Sequence, residues 1–364
     1  MTVASNQRAA NAPLAATPPW TFPEPRPATA PPEARGLERD AVALLVSGGD
    51  GHHHQAAFLD LATFLEPGDL VVVNDSATLP ARLPLTWNGG SGVLHLATRF
   101  AAGLWLAEPR WSPERPGPLP LAPGARVEVA GDEARMVAPS PGLPRLWFVQ
   151  VNGDAAMARA GAPIRYAHVG HDQPLVRYQT IFARVPGSAE MPSAGRPFSL
   201  RALDRLRAAG VATASLTLHT GVSSLEHDGG PLAHDALPPE PFRVPRATAD
   251  AVSRARARGR RVVAIGTSVV RALESACSGG RVHAGGGFTR RVLHPGRRPA
   301  VVDGLLTGFH EPRSTHLALL TALAGDDLIR GAYDAAARGP FLWHEFGDVH
   351  LILPPRRRAL PAVG

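Results

Sequence analysis

The sequence contains no lysine, since all 38 of its basic residues are arginine. Enzymes that form a Schiff base through a lysine amine are therefore excluded. A Walker A loop uses a lysine to hold nucleotide phosphates, so the same absence argues against a nucleoside triphosphatase of that kind.

Cysteine is almost absent too, since Cys277 is the only one in the 364 residues. The chain therefore forms no internal disulfide and no cysteine-based zinc site. It has no apolar run of about 18 residues, which a membrane-spanning helix needs. Nor does it begin with the basic and then apolar stretch that is typical of a signal peptide. We therefore expect a cytoplasmic protein that does not enter a membrane.

Positive charge is in excess, with a net charge of +7. This favours a polyanionic partner, because neutralising phosphates drives association with nucleic acid. The abundance of alanine, proline, glycine and arginine equally fits a compositional bias of the genome, and both explanations stay open. Hydrophobic residues make up 44%, enough for the core of one large domain or two.

The distribution of proline, glycine and apolar residues predicts three parts. Residues 1–36 are rich in proline and alanine, which predicts an extended N-terminal tail. Residues 80–160 contain short alternating runs between Gly/Pro turns, a pattern typical of a small inserted antiparallel β-barrel. Residues 37–79 and 161–354 alternate between strands and helices, which predicts an α/β domain with a mixed, mostly parallel sheet and flanking helices.

Local patterns predict the structure of four segments. Trp20 and Phe22 are placed to pin the tail to the body. Residues 52–54 are three adjacent histidines, which cannot all face one ion, so a loop or helix start is favoured over a metal site. Residues 58–65 follow helical spacing. The proline-rich residues 109–123 are predicted to form a long hairpin loop of the barrel.

The first polar segment of interest follows a buried strand predicted at residues 69–73. In α/β proteins, ligands tend to bind at the carboxyl ends of such strands. Asn74, Asp75 and Arg82 offer hydrogen-bond donors, acceptors and a positive charge there. An ordinary Asx turn that leads into the barrel explains the same residues.

Residues 177–198 include two loops rich in proline and glycine. Backbone amides in such loops can closely approach an anion or a nucleobase. A plain surface loop is the alternative. The candidate binding residues of this stretch are Tyr178, Gln179, Thr180, Ser193 and Gly195.

Two further candidates lie where predicted strands end. His219 is a candidate general base followed by Gly221, although a lone histidine is also commonly structural. Thr267 opens a helix after a glycine, which is an anion-binding geometry. Arg271 and Glu274 share one face of that helix, and a simple ion pair between them is the alternative.

Two segments near the C-terminus complete the set. One is a loop between a strand and a helix, and the other is a Gly-Asp turn that enters the last strand, with Asp348 in it. The candidate residues of the loop are Asp303, Thr307, Phe309, His310 and Ser314. Each motif is weak alone, but their order and spacing along the chain are specific.

The motif set resembles the family of S-adenosylmethionine:tRNA ribosyltransferase-isomerases, which build the cyclopentene part of queuosine. From Gly68 to Leu353 the matching segments read GDLVVVNDSATLPARL, YQTIFA, PGSAEMPSAGRPF, TLHTGVSSL, GTSVVRALES, VVDGLLTGFHEPRSTH and FGDVHLIL. The family patterns that they resemble are GDLLVxNDTRVxPARL, YQTVYA, PGSxAAPTAGLHF, TLHVGxGTF, GTTSVRxLES, VVDxLxTNFHLPxSTL and YGDAMLI.

The resemblance implies an α/β body with an inserted β-barrel. It implies an enzyme that moves and isomerises the ribosyl group of S-adenosylmethionine onto 7-aminomethyl-7-deazaguanine in tRNA, giving epoxyqueuosine. The partners are then tRNA and S-adenosylmethionine, the latter as a substrate, with no metal and no separate cofactor. The sulfonium acidifies the neighbouring carbon and helps methionine leave, so the protein must supply a base and a dry pocket.

The resemblance also suggests roles for the candidate residues. His219 is the expected base, with Asp75, Glu274 and Asp303 orienting ribose hydroxyls or the sulfonium. Tyr178 and Phe309 are expected to stack on a nucleobase. The arginines expected to contact tRNA phosphates or the methionine carboxylate are Arg82, Arg177, Arg271 and Arg313. The other expected substrate-binding residues are Asn74, Gln179, Thr180, Ser193, Gly195, Gly221, Glu240, Thr267, Thr307, His310, Ser314 and Asp348.

Several departures from the family patterns fall in the expected pocket. Arg196 and Pro197 stand where the family has Leu-His, Ala77 where it has arginine, and Gly308 where it has asparagine. HTGVSSL replaces a glycine-rich stretch, and a pattern resembling HxMHxE survives as Glu240. Two alternatives to the tRNA enzyme therefore stay open. One is a divergent paralogue that uses S-adenosylmethionine on another acceptor, and the other is a non-catalytic binding protein on the same fold.

Overall fold

The structure is a computed structural model that describes residues 22–222, 237–311 and 314–355. Its strands in these residues are β1 (Ala43–Gly48), β2 (His53–Ala57), β3 (Leu70–Asn74), β4 (Ser76–Thr78), β5 (Arg82–Trp87), β6 (Gly90–Ala101), β7 (Leu104–Arg110), β8 (Arg126–Val129), β9 (Asp132–Ser140), β10 (Leu143–Gln150), β11 (Val185–Ser188), β12 (Ala212–Leu218), β13 (Glu240–Val244), β14 (Val262–Ile265), β15 (Cys277–Ser278), β16 (Arg281–Val282), β17 (Gly285–Thr289), β18 (Gly304–Gly308) and β19 (Val349–Leu353). Its α-helices are α1 (Gly153–Ala160), α2 (Leu200–Ala208), α3 (Arg246–Ala257), α4 (Thr267–Ser275), α5 (Thr315–Ala324) and α6 (Asp326–Arg338). Among the described residues, none of these helices combines the length and the apolar character needed to cross a membrane.

The main sheet of the described chain has nine strands in the order β17-β13-β12-β3-β14-β18-β19-β1-β2. β12, β3, β14 and β18 run parallel at its centre. β19 runs antiparallel to β18 and parallel to β1, and both edges end in antiparallel strands. The predicted mixed sheet with flanking helices is confirmed.

The central strands are continuous apolar runs because helices cover both faces of the sheet. In β3, Leu70 and Val72 pack with residues of α3 and α4. Val71 and Val73 point the other way, towards α2 and a 3-10 helix at Phe58–Phe64. The sequence predicted a helix at this last segment, and the structure has one of the 3-10 type, in which Phe58, Leu61 and Ala62 are buried.

β5 to β10 close into an antiparallel barrel, in the order β10-β7-β6-β5-β8-β9, and the predicted barrel is confirmed. The predicted hairpin loop at residues 109–123 is wrong. β7 pairs with β6 and β10, whereas β8 pairs with β5 and β9. Because β6 and β5 lie between them, the connection crosses one end of the barrel instead of turning back. Along this path Leu119 packs into the barrel core, and Trp111 meets Trp87 edge-on at 5.8 Å.

The prediction of a loop or helix start at residues 52–54 is also wrong, because His53 and His54 begin β2. β2 pairs with β1 and places His53 opposite Ser47, whose hydroxyl lies 2.8 Å from Nδ1 of His53. This edge strand exposes polar side chains and lacks the apolar alternation by which a strand is recognised. Nowhere in the described parts of the chain do three His, Cys, Asp or Glu residues form a group suited to a metal ion.

The described part of the N-terminal segment lies against the α/β body. Pro27 forms a parallel bridge with Trp343. The ring of Phe22 meets Tyr333 edge-on at 5.5 Å between ring centroids, which is the pinning contact expected of it. Trp20 lies outside the described residues. The boundaries of the three predicted parts stay a prediction.

Candidate functional site

A cavity of about 920 Å³ lies at the carboxyl ends of the central strands. Its walls include Thr220 after β12, Thr267 after β14 and His310 after β18. The barrel contributes Arg110, the last residue of β7. This volume lies near the upper end of the ~300–1,000 Å³ typical of small-molecule sites, and its location is the usual one in open α/β sheets.

Two helix N-termini meet at the cavity. Gly266 has a positive φ of 92° and turns the chain from β14 into α4, which no side chain caps. Ser314 caps α5, and the first residue of that helix, Thr315, also lines the cavity. Because helix N-termini carry partial positive charge and present backbone N–H groups, this wall of the cavity suits an anionic group.

The sequence motifs converge here although they are far apart in the chain. Six of the seven motif segments contribute described residues to the lining. They do so through Thr78, Tyr178, Ser193, Thr220, Thr267, Arg271, Thr307 and Ser314, among others. The co-linear pattern that carries the family resemblance is therefore the signature of one shared site.

Acidic side chains outnumber arginines among the described residues of the lining. The glutamates are Glu24, Glu114, Glu190, Glu311 and Glu345, of which Glu114 pairs with Arg165. The arginines are Arg110 and Arg271, and both pair with buried carboxylates, those of Glu108 and Glu240. A cleft lined by one sign of charge attracts the opposite sign, so this cavity favours a ligand with a positive centre.

Two of the cavity histidines are neutral near pH 7. Nε2 of His310 lies 2.7 Å from the hydroxyl of Thr307, and its ring stacks on His316 at 4.5 Å between centroids. Desolvation lowers the pKa of His310 well below its ordinary value, and the nearby His316 adds to the effect. Desolvation also lowers the pKa of His316 to about 4. Both rings therefore act as hydrogen-bonding groups, not as cations.

The structure brings eight of the predicted site residues to the cavity. They are Tyr178, Ser193, Thr267, Arg271, Thr307, Phe309, His310 and Ser314. Phe309 forms a wall instead of a stacking platform, because its ring packs against Tyr333 and Trp343 and only 1% of the residue is exposed.

Three predicted carboxylates hold the backbone together and do not line the cavity. Glu274 accepts hydrogen bonds from the backbone N–H groups of residues 300–302. Asp303 accepts one of 2.9 Å from Val262. Asp348 accepts two from the backbone, at 2.7 and 2.6 Å. These contacts use the carboxylates to fix loops to the sheet and lend no support to the expected contact with ribose or sulfonium.

His219 and Asp75 are not among the residues that line the cavity. Nδ1 of His219 is 2.7 Å from the hydroxyl of Ser76, and a Cβ atom on Gly187 would lie 2.5 Å from the ring. Burial lowers the pKa of His219, and the charge of Asp75 opposes this shift. Asp75 accepts a hydrogen bond of 2.6 Å from Thr217. The imidazole is held firmly, and its role as the base stays a prediction.

The other predicted residues outside the lining mostly join neighbouring segments. The amide of Asn74 bonds the N–H and C=O of Leu218 at 3.0 and 2.8 Å, and that of Gln179 does the same with Thr78. Arg82 pairs with a surface aspartate at 2.5 Å. The remaining ones are Thr180, Gly195, Gly221 and Glu240.

Of the arginines expected to meet phosphate or carboxylate groups, Arg177 lies 3.3 Å from Glu33 and is half-buried. Arg271 reaches the cavity, as described above. Arg313 lies outside the described residues.

Sequence reasoning missed a pair of histidines that the fold brings together at the cavity. The rings of His168 and His344 stack with centroids 4.3 Å apart. His168 belongs to no motif, and His344 lies just before the last one. Residues so distant in sequence meet through the packing of the α/β body, and no local pattern indicates the pair.

Comparison with known proteins identifies the family. The protein family described as "Queuosine biosynthesis protein" matches residues 19–352. The chain belongs to this family. The resemblance drawn from the motifs is thereby confirmed.

Relatives of this queuosine biosynthesis protein span nearly the whole chain. An S-adenosylmethionine:tRNA ribosyltransferase-isomerase of Sorangium cellulosum is 39% identical over 372 residues, which cover 92% of this chain and 96% of the relative. One of Thermus thermophilus is 39% identical over 335 residues, which cover 89% and 97%. The crystal structure of an S-adenosylmethionine tRNA ribosyltransferase of Thermotoga maritima shares 27% identity with a TM-score of 0.51, covering 92% of this chain and 99% of that one. The chain is therefore an enzyme of the transferase-isomerase class, as predicted.

Proposed function

We propose that this enzyme transfers and isomerises the ribosyl group of S-adenosylmethionine onto 7-aminomethyl-7-deazaguanine in tRNA, giving epoxyqueuosine in tRNA. The observation that carries the proposal is the convergence of six family motifs on one cavity with an acidic lining. The names of the relatives add S-adenosylmethionine and tRNA as the expected substrates.

The cavity has groups that match the charged groups and the ribose hydroxyls of S-adenosylmethionine. Its sulfonium and ammonium are cations, which suits the glutamates of the lining. Its carboxylate fits the N-termini of α4 and α5. Its ribose hydroxyls fit the side chains of Thr267, Thr307 and Ser193, which line the same space. The acceptor is itself an amine, so the same excess of carboxylates favours its approach.

The charge of the whole chain favours the tRNA. The net charge is +7, although the cavity itself is acidic. A basic exterior holds the phosphate backbone of a nucleic acid, while the acidic cavity receives the cationic groups that react. The binding of the enzyme to tRNA is therefore expected to weaken with salt more than its binding to S-adenosylmethionine.

Replacing Tyr178 tests whether the cavity binds substrate through the buried hydroxyl group of this residue. Its hydroxyl is buried and, within the described residues, has no hydrogen-bond partner. Burial, and then the charge of Glu345, raises the pKa of Tyr178, so the hydroxyl keeps its proton and acts as a donor. Tyr178→Phe is expected to lower kcat/KM for S-adenosylmethionine about tenfold without loss of stability, because the lost bond forms only with a ligand.

The matched control is Tyr333→Phe. The hydroxyl of Tyr333 bonds both the N–H and the C=O of His310, at 3.0 and 3.2 Å. Its loss is expected to lower the free energy of unfolding by ~1–2 kcal/mol, as measured by urea titration. A Tyr178→Phe enzyme that loses stability to the same extent and keeps its kcat/KM would show that the hydroxyl serves the fold alone.

The proposed function is tested by following adenine and methionine by chromatography. The enzyme is mixed with S-adenosylmethionine and tRNA that carries 7-aminomethyl-7-deazaguanine, or with the same tRNA carrying guanine. Release that depends on the modified base supports the proposal. Binding of S-adenosylmethionine without release from either tRNA would instead favour the paralogue with another acceptor.

A further inference from the structure

Two departures from the family patterns meet in space. Pro197 stands where the family pattern has histidine, and Gly308 where it has asparagine. Both line one small void of about 10 Å³, and His344 lines it with them. Both substitutions put a smaller side chain at the position. His344 also lines the main cavity, and it therefore offers an imidazole where the family histidine is missing.

The backbone of His344 is in an unusual conformation. Its φ is 72°, and Ala130 is the other non-glycine residue of the described chain with a positive φ. Side chains other than glycine adopt this region at an energetic cost, and such residues cluster at functional sites. The strain sets the direction of the imidazole, whose ring stacks on His168 at an interplanar angle of 22°.

Each ring of the stacked pair has its own carboxylate partner. Nε2 of His344 lies 3.2 Å from Glu311, and Nε2 of His168 lies 2.8 Å from Glu345. A carboxylate at Nε2 favours the tautomer with a proton there, which leaves the lone pair on Nδ1. The stacking on His168 and the contact with Glu311 together hold the ring of His344 in one orientation.

We propose that His344 is the general base of the reaction, and that His168, which stacks on it, positions its imidazole. The inference rests on the proposed function. The C–H bond of the ribose carbon attached to the sulfonium breaks, its proton passes to Nδ1 of His344, and its electron pair stays on the carbon beside the positive sulfur. Adenine later leaves with the electron pair of its bond to ribose and takes up the proton that His344 removed, which returns the imidazole to its starting state.

His344→Phe tests the base while keeping an aromatic ring in the stack. We expect kcat to fall ~10²–10⁴-fold, while KM for S-adenosylmethionine changes less than about threefold because the ring still fills the wall. Adding Pro197→His to this variant returns an imidazole to position 197, which lines the same void as residue 344, and is expected to recover at least about tenfold in kcat. His168→Phe should lower kcat as well. His54→Phe, on the exposed edge strand β2, is the matched control and should change nothing.

A second readout separates this inference from the proposed function. In D₂O, removal and return of the proton puts deuterium on the 5′ carbon of S-adenosylmethionine, which mass spectrometry detects whatever the acceptor is. Exchange by the parent enzyme that is lost in His344→Phe supports the inference even if the tRNA is not modified. Exchange or turnover at the parent rate in a folded His344→Phe enzyme overturns this inference alone. A parent enzyme with neither exchange nor product overturns the inference and the proposed function together.

Discussion

Replacing Arg271 with alanine is expected to lower the free energy of unfolding by ~3–5 kcal/mol and to weaken binding of S-adenosylmethionine. Arg271 lines the cavity and forms an ion pair with Glu240, and only 5% and 1% of these residues are exposed. Glu240 also accepts a hydrogen bond of 2.9 Å from the backbone of Gly221. Without the guanidinium, an unpaired carboxylate is buried beside the site, which costs far more than the loss of a surface pair.

The comparison for Arg271→Ala is Arg246→Ala. Arg246 lies 3.8 Å from Asp250 on the surface of α3, and 89% of its side chain is exposed. Its loss is expected to cost at most ~1 kcal/mol. The double variant Arg271→Ala/Glu240→Ala should recover part of the stability, because it removes the unpaired charge. Urea titration of all the variants measures these differences, and equal costs for the two arginine variants would contradict the account.

Replacing Ser193 with tryptophan is expected to weaken binding of S-adenosylmethionine at least ~100-fold, because a large ring then occupies space that the ligand needs. Ser193 begins a 3-10 helix at Ser193–Gly195 and lines the main cavity. The added ring has room in a cavity of about 920 Å³. The free energy of unfolding should therefore change little.

The matched control for this variant is Ser278→Trp, which places the same ring at an exposed position of β15. Calorimetric titration with S-adenosylmethionine measures both variants. The account predicts parent-like affinity for Ser278→Trp and no measurable binding for Ser193→Trp. Parent-like affinity in both would place the substrate outside this cavity.

Much of the fold could be predicted because the residue pattern within a short segment determines the secondary structure of that segment. β3 is a continuous apolar run since helices cover both of its faces, and α2 and α3 carry apolar faces at helical spacing. Two local predictions failed where the deciding cause is not local. His53 belongs to a strand because it pairs with β1, and residues 109–123 cross the barrel because β5 and β6 separate the strands that they connect.

The candidate site could be predicted only in part, for a related reason. Motif residues at strand ends, such as Thr267 and His310, reach the cavity because the carboxyl ends of parallel strands share one edge of the sheet. Charged motif residues such as Glu274 and Asp303 were predicted to meet substrate, but they hold backbone N–H groups. The sequence alone does not show which carboxylates accept hydrogen bonds from backbone N–H groups and which ones face a ligand. The stacking of His168 on His344 depends wholly on tertiary packing.

The most direct test of the central claim is mass spectrometry of nucleosides from tRNA that carries 7-aminomethyl-7-deazaguanine, after incubation with the enzyme and S-adenosylmethionine. The account predicts that the modified base gains the mass of the transferred ribosyl group and becomes epoxyqueuosine, and that Ser193→Trp abolishes the change. An unchanged nucleoside from an enzyme that is shown to bind S-adenosylmethionine would contradict the proposed acceptor.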